Sequence, residues 1–231
     1  PSSEHELADF LASTRGQIRP VGSGHSFSPL VPSEGHLLVL DQLTGLLSHD
    51  SSANTASFAA GTRLSDMGAP LARIGQAAIN LPDIDRQTLA GATSTATHGT
   101  GIDFKCLSGY ISELRLISPS GEVHDLANRS ESGMFDAARV GLGALGIVTR
   151  ITMQNTLRYR LKQTSWVDKT TDLLKDFDRQ ASIHRHFELF PLVHSEYSMA
   201  LATDETKEAI NNPPQSPEEE AGFDLIMQGW M

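Results

Sequence analysis

The sequence is poor in cysteine and in basic residues. Its single cysteine, Cys106, excludes an internal disulfide and a metal site held by several thiolates. The 18 Lys and Arg residues are outnumbered by 28 Asp and Glu residues, which gives a net charge of -10. A chain of this charge is a poor match for the phosphates of nucleic acids and for an anionic membrane surface. We therefore expect neither as a partner.

Long hydrophobic runs are also absent. No apolar stretch approaches the ~18 residues of a membrane-spanning helix, and the N-terminal residues lack the basic start and apolar core of a signal peptide. These absences predict a soluble, cytoplasmic protein, for which a single cysteine is also typical. The 39% of apolar residues is sufficient for a sizeable hydrophobic core.

Strand and helix patterns alternate along the first 155 residues. Ser3, three residues before Glu6, has the spacing of a capping box at a helix start. Single strands are predicted at QIRPVG, HLLVLDQL, AAINLP and GIVTRITMQN. Hairpins are predicted at GLLSHDSSANTASFAAG and ISELRLISPSGEVHDL. Further helices are predicted at LSDMGAPLARIG and SESGMFDAARVG. This order predicts a mixed domain of helices and sheet over residues 1–155.

The pattern changes near Tyr159, where a second domain is predicted to begin. A strand, a helix and two more strands are predicted at RLKQTSWVD, KTTDLLKDFDRQ, HRHFELFPLV and EYSMALATD. The segment NNPPQSPEEEAG is rich in proline and acid, which predicts a mobile loop. The apolar FDLIMQGWM follows with no closing element, so we interpret residues 156–231 as the start of a second domain in a truncated chain.

Three glycines formally match the dinucleotide-binding pattern G-x-G-x-x-G. They are Gly141, Gly143 and Gly146, in VGLGALGIV. That pattern works where a strand enters the turn and a helix leaves it. Here a helical pattern enters and a β-branched strand leaves, so we expect no nicotinamide-binding unit. We interpret the glycines as allowing tight packing between a helix end and a strand start.

Two other segments are better candidates for binding an anion. IRPVGSGHSFSP places Gly22, Ser23 and Gly24 directly after a strand, and TLAGATSTATHGTG, from Thr88 to Gly101, has five threonines and one serine among small residues. Such a composition suits neither a core strand nor a helix, but it presents backbone N–H groups and hydroxyls at close range. Each segment alone indicates only a turn. Together they predict a diphosphate-containing ligand held by backbone donors.

The segments RPVGSGHSF, INLPDIDRQTLAGATSTATHGTG and GALGIVTRITM, in this order, resemble the FAD-binding domain of the vanillyl-alcohol-oxidase-type (PCMH-type) flavoproteins. Within that family they are most similar to the group of L-gulonolactone, D-arabinono-1,4-lactone and alditol oxidases. The resemblance runs from Ile18 to Met153. It implies an α+β fold, with a two-subdomain FAD-binding domain at residues 1–155 and the start of an α+β substrate (cap) domain at residues 156–231.

The resemblance also implies which residues bind FAD. His25 matches a histidine bonded covalently to the 8α-methyl carbon of the flavin, a position that suits an imidazole because it is neutral near pH 7. Two alternatives stay open: His25 as a hydrogen-bonding turn residue, and His98 as a residue that only fixes its loop. The implied FAD-binding positions are Gly22, Ser23, Gly24, His25, Ser26, Asn80, Thr88, Gly91, Thr95, Ala96, Thr97, His98 and Ile147.

The activity implied by the resemblance is oxidation of a CH–OH group of a sugar lactone or polyol. FAD supplies the redox chemistry, and oxygen or another acceptor reoxidises it. Asn80 matches a position near the reactive face of the flavin. In HRHFELFP, the two-residue period of a strand places His184, His186 and Glu188 on one face. That face has three possible roles: a substrate-facing wall, a metal site or, most commonly for such a strand, a solvated surface. Asn80, Glu188 and His186 are the catalytic candidates, no metal is assigned, and the main base is expected beyond Met231.

Two other functions stay open. One is a non-catalytic module that only holds FAD, and the other is a flavin reductase of nucleotide-sugar enol ethers with the same fold. His25 argues against the reductase, because a covalent flavin suits an oxidase better than an enzyme reduced by free nicotinamide. Bleaching of the flavin absorbance distinguishes the three functions. Bleaching by a lactone or polyol indicates the oxidase, bleaching by NADPH indicates the reductase, and bleaching by neither indicates the FAD-holding module.

Overall fold

A computed structural model describes residues 1–128 and 133–211 of the chain. Through residue 157 the elements are α1 (Glu4–Ser13), β1 (Ile18–Val21), β2 (His36–Val39), β3 (Leu46–Asp50), β4 (Thr55–Ala59), α2 (Gly68–Arg73), β5 (Gln76–Ala78), α3 (Leu89–Ser94), β6 (Ile111–Ile117), β7 (Val123–Ala127), α4 (Met134–Arg139) and β8 (Ile147–Leu157). They are followed by β9 (Arg160–Lys169), α5 (Thr170–Lys175), α6 (Phe177–Ile183), β10 (His186–Pro191) and β11 (Tyr197–Thr206). Short 3₁₀ turns lie at Leu64–Asp66 and Leu107–Tyr110. The predicted mixture of helices and sheets is confirmed.

Three sheets organise these strands. β1 and β2 form a parallel pair. The largest sheet has the order β3-β4-β8-β6-β7 with antiparallel neighbours, and β5 pairs with the C-terminal end of β8. The third sheet has the antiparallel order β10-β11-β9. The long strand β8 is therefore the centre of the N-terminal part of the chain.

The core lies mainly against one face of the largest sheet. Side chains of β8 alternate along the strand, and Ile151 and Met153 pack in a cluster with helices α2, α3 and α4. A second cluster joins Leu7 and Leu11 of α1 to β2 and to Ile147. Burial of these aliphatic side chains is the main favourable term that holds α1 and the β1–β2 pair to the sheet.

The predicted start of α1 is confirmed, with a change in its capping bonds. The Ser3 hydroxyl accepts a hydrogen bond from the Glu6 backbone N–H at 3.1 Å. The Glu6 carboxylate, however, accepts from the backbone N–H of Ser2 at 2.7 Å. The reciprocal bond of a capping box is therefore made to the residue before the N-cap, and it ties that residue to the first turn of the helix.

One local expectation was wrong. TLAGATSTATHGTG was expected to avoid helix, but α3 lies within it. Thr88 caps this helix, because its hydroxyl accepts from the Gly91 N–H at 3.2 Å. The Thr95 hydroxyl donates to the Gly91 carbonyl at 3.0 Å. Threonine is a weak helix former partly because its hydroxyl competes for backbone groups, and here those bonds close a short helix instead.

The predicted strand, helix, strand, strand order after Tyr159 is confirmed, with the helix divided into α5 and α6. Trp166, Leu173, Phe187, Ala200 and Ala202 pack between these helices and one face of the third sheet. The expectations for NNPPQSPEEEAG and FDLIMQGWM concern residues outside the described part, apart from position 211. Within residues 1–128 and 133–211, no helix is both long and apolar enough to span a membrane.

Candidate functional site

A cavity of about 550 Å³ lies where the two glycine-rich segments meet. Its size is within the roughly 300–1,000 Å³ range of small-molecule sites. The first segment contributes residues 22–26, which follow directly after β1. The second contributes Thr88, Gly91 and Thr95, at the two ends and along one side of α3. Two segments more than 60 positions apart thus line one space.

Thr88 is the point of contact between the two segments. A Cβ on Gly22 would lie 2.5 Å from the Thr88 Oγ1 atom, and a Cβ on Gly91 would lie 3.0 Å from the same atom. A methyl group on Gly22 would therefore displace the hydroxyl that caps α3. Glycine at position 22 lets the two backbones approach each other beside the cavity.

The first segment is exposed and turns through a left-handed glycine. Gly24 has a φ of +72°, and a Cβ built on it meets no protein atom within 4 Å. His25 is exposed and lines the cavity. In the described part of the chain, its imidazole has no hydrogen bond or ion pair, so the turn-residue alternative lacks a partner atom there.

The turn before β8 forms a third wall. α4 precedes this turn and β8 follows it, which confirms the reversed order expected for Gly141, Gly143 and Gly146. Gly143 has a φ of +79°, and a Cβ on it would lie 2.6 Å from Pro20 Cγ. Gly143, Gly146 and Ile147 all line the cavity. The glycines pack tightly, as expected, but they also belong to the site, which sequence reasoning missed for Gly143 and Gly146.

Other polar residues of the cavity wall were also missed. They are Arg19, Asp41, Thr44, Arg63, Asp66, Gln87 and Ser94. Arg19 could have been noticed, because it lies three residues before Gly22 in the same motif. Gln87 and Ser94 could also have been noticed, because they lie in the segment INLPDIDRQTLAGATSTATHGTG. Asp41, Thr44, Arg63 and Asp66 come from segments with no recognisable binding pattern, and only the fold brings them to the cavity.

Several of the implied FAD-binding residues do not line the cavity. They are Asn80, Ala96, Thr97 and His98. Thr97 accepts a hydrogen bond at 3.0 Å from Gln87, which itself lines the cavity. The His98 Nδ1 atom bonds the neighbouring Gly99 carbonyl at 2.9 Å. This is the geometry of the loop-fixing alternative.

Asn80 lies in a second group of residues, which we call the Thr100 cluster: Asn80, Thr100, His186 and Glu188. The Asn80 side chain is 6% exposed and donates to the Thr100 carbonyl at 3.0 Å. The Thr100 hydroxyl donates to Glu188 Oε1 at 3.0 Å. His186 Nδ1 donates to the Thr100 carbonyl at 2.9 Å. The three catalytic candidates are thus brought together around one threonine.

The most common interpretation of HRHFELFP, a solvated strand face, was wrong. β10 is paired with β11, and His186 and Glu188 are half-buried against Thr100. The neighbouring His184 is held by a 2.6 Å bond to Asp204. In the described ranges, no three His, Cys, Asp or Glu residues are placed to hold a metal ion.

Comparison with known proteins identifies the family. The family described as FAD binding domain matches residues 1–127. The chain belongs to this FAD-binding family. The expected PCMH-type resemblance is therefore confirmed, and FAD is the cofactor of the family.

The relatives and the fold agree with this assignment. The chain is similar to L-gulono-1,4-lactone dehydrogenase of Mycobacterium tuberculosis, with 35% identity over 93% of this chain and 50% of the relative. It is 28% identical to L-gulonolactone oxidase of Bos taurus, over 94% of this chain and 49% of the relative. A solved cholesterol oxidase from Brevibacterium sterolicum superimposes with a TM-score of 0.79 at 16% identity, over 97% of this chain and 49% of that structure, which shows a shared fold. The chain spans about half the length of the curated relatives it matches.

The cavity of this FAD-binding chain fits the chemistry of the cofactor. Its glycine-rich segments present backbone without side chains, which suits close approach of a diphosphate. Apolar side chains of Val39, Leu142 and Val148 line other parts of the wall, which suits ring systems.

Proposed function

We propose that the cavity holds FAD and that the chain is the flavin-binding part of an oxidoreductase that oxidises a CH–OH group of a sugar lactone. The observation that carries the proposal is that residues 22–26 and the Thr88–Gly91–Thr95 side of α3 line one cavity. The lactone is favoured over a polyol because the similar proteins are named as lactone dehydrogenases or oxidases. When bound, FAD accepts a hydride from the substrate carbon.

In this proposal the two glycine-rich segments hold the FAD diphosphate with backbone N–H groups. The N–H groups of residues 22–26 and the open space beside Gly24 support this role. Thr88 keeps the two segments in contact, and the turn at Gly143 to Ile147 closes the third side. The remaining implied positions, Asn80, Ala96, Thr97 and His98, would act from the neighbouring loop.

We further propose that His25 forms the covalent bond to FAD. Its imidazole lines the cavity, is exposed, and has no other partner in the described ranges. The attacking imidazole nitrogen needs a free lone pair, and His25 has no hydrogen bond in the described ranges that would occupy it. The 8α-methyl carbon would become electrophilic by losing a proton; the new bond would leave the flavin ring reduced by two electrons, which oxygen or another acceptor would remove. The bond would fix the flavin at the end of β1.

On the substrate side we propose that the Thr100 cluster orients the lactone. Glu188 is the one carboxylate of this cluster, and Thr100 holds it with a 3.0 Å hydrogen bond. A carboxylate fixed in this way can accept a proton from a hydroxyl group or hold that hydroxyl in place. The cluster also joins the two proposed domains, residues 1–155 and 156–231.

Anaerobic mixing of the FAD-loaded protein, expressed from its full gene, with L-gulono-1,4-lactone tests the activity. We expect bleaching of the oxidised flavin absorbance by the lactone and not by NADPH. Bleaching by NADPH alone would favour the reductase, and no bleaching by either would favour a module that only holds FAD. Mixing the bleached protein with oxygen, and separately with an artificial electron acceptor, then distinguishes an oxidase from a dehydrogenase.

A further inference from the structure

Arg19 has a partly buried guanidinium group that no described residue pairs with, unlike the two other arginines that have a buried, unbonded Nε atom. The structure has three buried Nε atoms without a hydrogen bond in its described part, on Arg19, Arg139 and Arg185. The Nη atoms of Arg139 bond Asp136 at 2.6 Å and the Ser108 carbonyl at 3.2 Å. Those of Arg185 bond Glu205 and the Ile79 carbonyl. For Arg19, the described residues supply no hydrogen bond or ion pair to any guanidinium atom.

An unpaired, half-buried guanidinium is unfavourable in a folded protein. Removing part of its hydration costs free energy that only an anion or several hydrogen-bond acceptors can offset. The carboxylates that line the same cavity are those of Asp41 and Asp66. Both are exposed, and within the described part of the chain neither forms an ion pair with Arg19. Arg19 therefore stands at the cavity without a counter-ion from the described residues.

The position of Arg19 relates it to the diphosphate segment. It lies on β1, three residues before Gly22, and it lines the same cavity as residues 22–26. Pro20, its neighbour, is packed against the turn at Gly143. β1 is thereby fixed between its partner strand and this turn, so its residues are held in place beside the cavity.

We propose that Arg19 is the side-chain counter-ion of the FAD diphosphate. The inference rests on the proposed location of FAD in this cavity and adds a charged contact to the backbone donors. The FAD diphosphate is the anionic part of the cofactor, and a guanidinium can bond two oxygens of such a group at once. In a chain with a net charge of -10, a local cation offsets the repulsion that the whole protein exerts on an anion.

The test compares FAD with riboflavin, which has the same ring system and no phosphate. Binding is measured by quenching of flavin fluorescence in a His25→Ala background, which prevents a covalent bond and makes the equilibrium measurable. Arg19→Gln removes the charge and Arg19→Lys keeps it without the bidentate geometry. Arg73→Gln is the matched control, because Arg73 is exposed, lies outside the cavity wall and has no bonded partner in the described ranges.

We expect Arg19→Gln to weaken FAD binding by about 10-fold or more, as for loss of a charge-assisted hydrogen bond, and to leave riboflavin binding unchanged. Arg19→Lys should be intermediate and Arg73→Gln should match the parent. The parent's affinity for FAD should also fall more steeply with salt than that of Arg19→Gln.

Equal FAD affinity of the parent and Arg19→Gln would overturn the proposed role of Arg19. It would not affect the proposed location of FAD in the cavity. An equal loss of FAD and riboflavin binding would also overturn the proposed role, because that result indicates a structural role. If the parent binds neither flavin, both the inference and the proposed location of FAD are wrong.

Discussion

Gly22 and Thr88 are in such close contact that a Cβ on Gly22 would lie 2.5 Å from the Thr88 hydroxyl oxygen. That hydroxyl also caps α3 by accepting from the Gly91 N–H. The contact couples the first glycine-rich segment to the second, so the shape of the proposed FAD site depends on the absence of one methyl group.

Gly22→Ala should therefore lower both stability and FAD affinity. The added methyl group displaces the Thr88 hydroxyl from its cap, and loss of such a cap costs about 1 kcal/mol. Thr88→Ala removes the cap by itself. In the double variant the two losses should be less than additive in free energy of unfolding, because Thr88→Ala also removes the atom that clashes. Strict additivity would show that the two residues are not coupled.

Gly24→Val should abolish FAD binding, whereas Gly75→Val should retain it. Both glycines have left-handed backbones, with φ of +72° and +77°, and a Cβ added to either one would meet no protein atom within 4 Å. The strain should therefore be similar, about 1–2 kcal/mol for a side chain in this conformation. Only Gly24 lines the cavity. FAD occupancy is read from the ratio of flavin to protein absorbance, and equal occupancy in the two variants would remove Gly24 from the proposed cradle.

Asp125 should contribute to the pH dependence of stability. Arg115 donates two hydrogen bonds to it at 2.8 and 2.7 Å, and these bonds lower the pKa of the Asp125 carboxyl. Because its folded-state pKa is lowered, the stabilisation is present above the unfolded pKa of about 4. It is lost as the pH falls through the lower, folded-state pKa.

We expect Asp125→Asn to lower the free energy of unfolding at pH 7 by up to about 1 kcal/mol, since the carboxylate is 58% exposed and solvent screens it. The difference from wild type should shrink as the pH falls below the unfolded pKa of about 4, and it should vanish once the pH is below the lowered folded-state pKa. Urea unfolding at several pH values measures this difference in free energy of unfolding. Glu34→Gln is the control for loss of one exposed negative charge. A difference that stays constant down to low pH would contradict the assignment.

Arg185 should hold the third sheet against the rest of the chain. Its guanidinium lies 4.5 Å from the ring centre of Phe104 and 4.7 Å from that of Tyr159, and it donates to the Ile79 carbonyl at 2.7 Å. Lysine keeps the charge but cannot stack and bond in this way. Arg185→Lys should cost about 1–3 kcal/mol, because the stacking on two rings is lost and the half-buried Ile79 carbonyl loses its charged donor.

Arg158→Lys is the matched control for this contact, since Arg158 is exposed and has no bonded side-chain partner in the described ranges. The fluorescence of Trp166, which packs within the third sheet, follows unfolding of that part of the chain when it is measured in a Trp230→Phe background that removes the second tryptophan. Similar unfolding midpoints for Arg185→Lys and Arg158→Lys would show that the stacked guanidinium is not important for the contact.

Local signals predicted much of the fold. The hairpins and the start of α1 follow from short-range patterns, such as Ser3 before Glu6 and the turn residues between alternating strands. Thr88 shows where such reasoning fails, because the helix propensity of threonine opposes α3 while the capping bond of Thr88 favours it. Propensity is a weak guide when a side chain can satisfy the helix ends.

The candidate site was only partly predictable. The two glycine-rich segments were recognised from composition and from family resemblance, and both line the cavity. The wall at Gly143 depends on its contact with Pro20, more than 120 residues away. The bond between Thr100 and Glu188 joins residues that are 88 positions apart. No local pattern contains such contacts, because they arise only when the sheets pack together.

Covalent attachment of FAD at His25 is the most direct test of the account. The wild-type and His25→Ala chains are loaded with FAD, denatured in SDS and separated on a gel, which removes any flavin that is not covalently bound. We predict a fluorescent wild-type band whose flavin maps to the tryptic peptide of residues 16–63, and a non-fluorescent His25→Ala band from a protein that still binds FAD before denaturation. A flavin-loaded wild type with no fluorescent band, or a His25→Ala band as bright as wild type, would contradict the account.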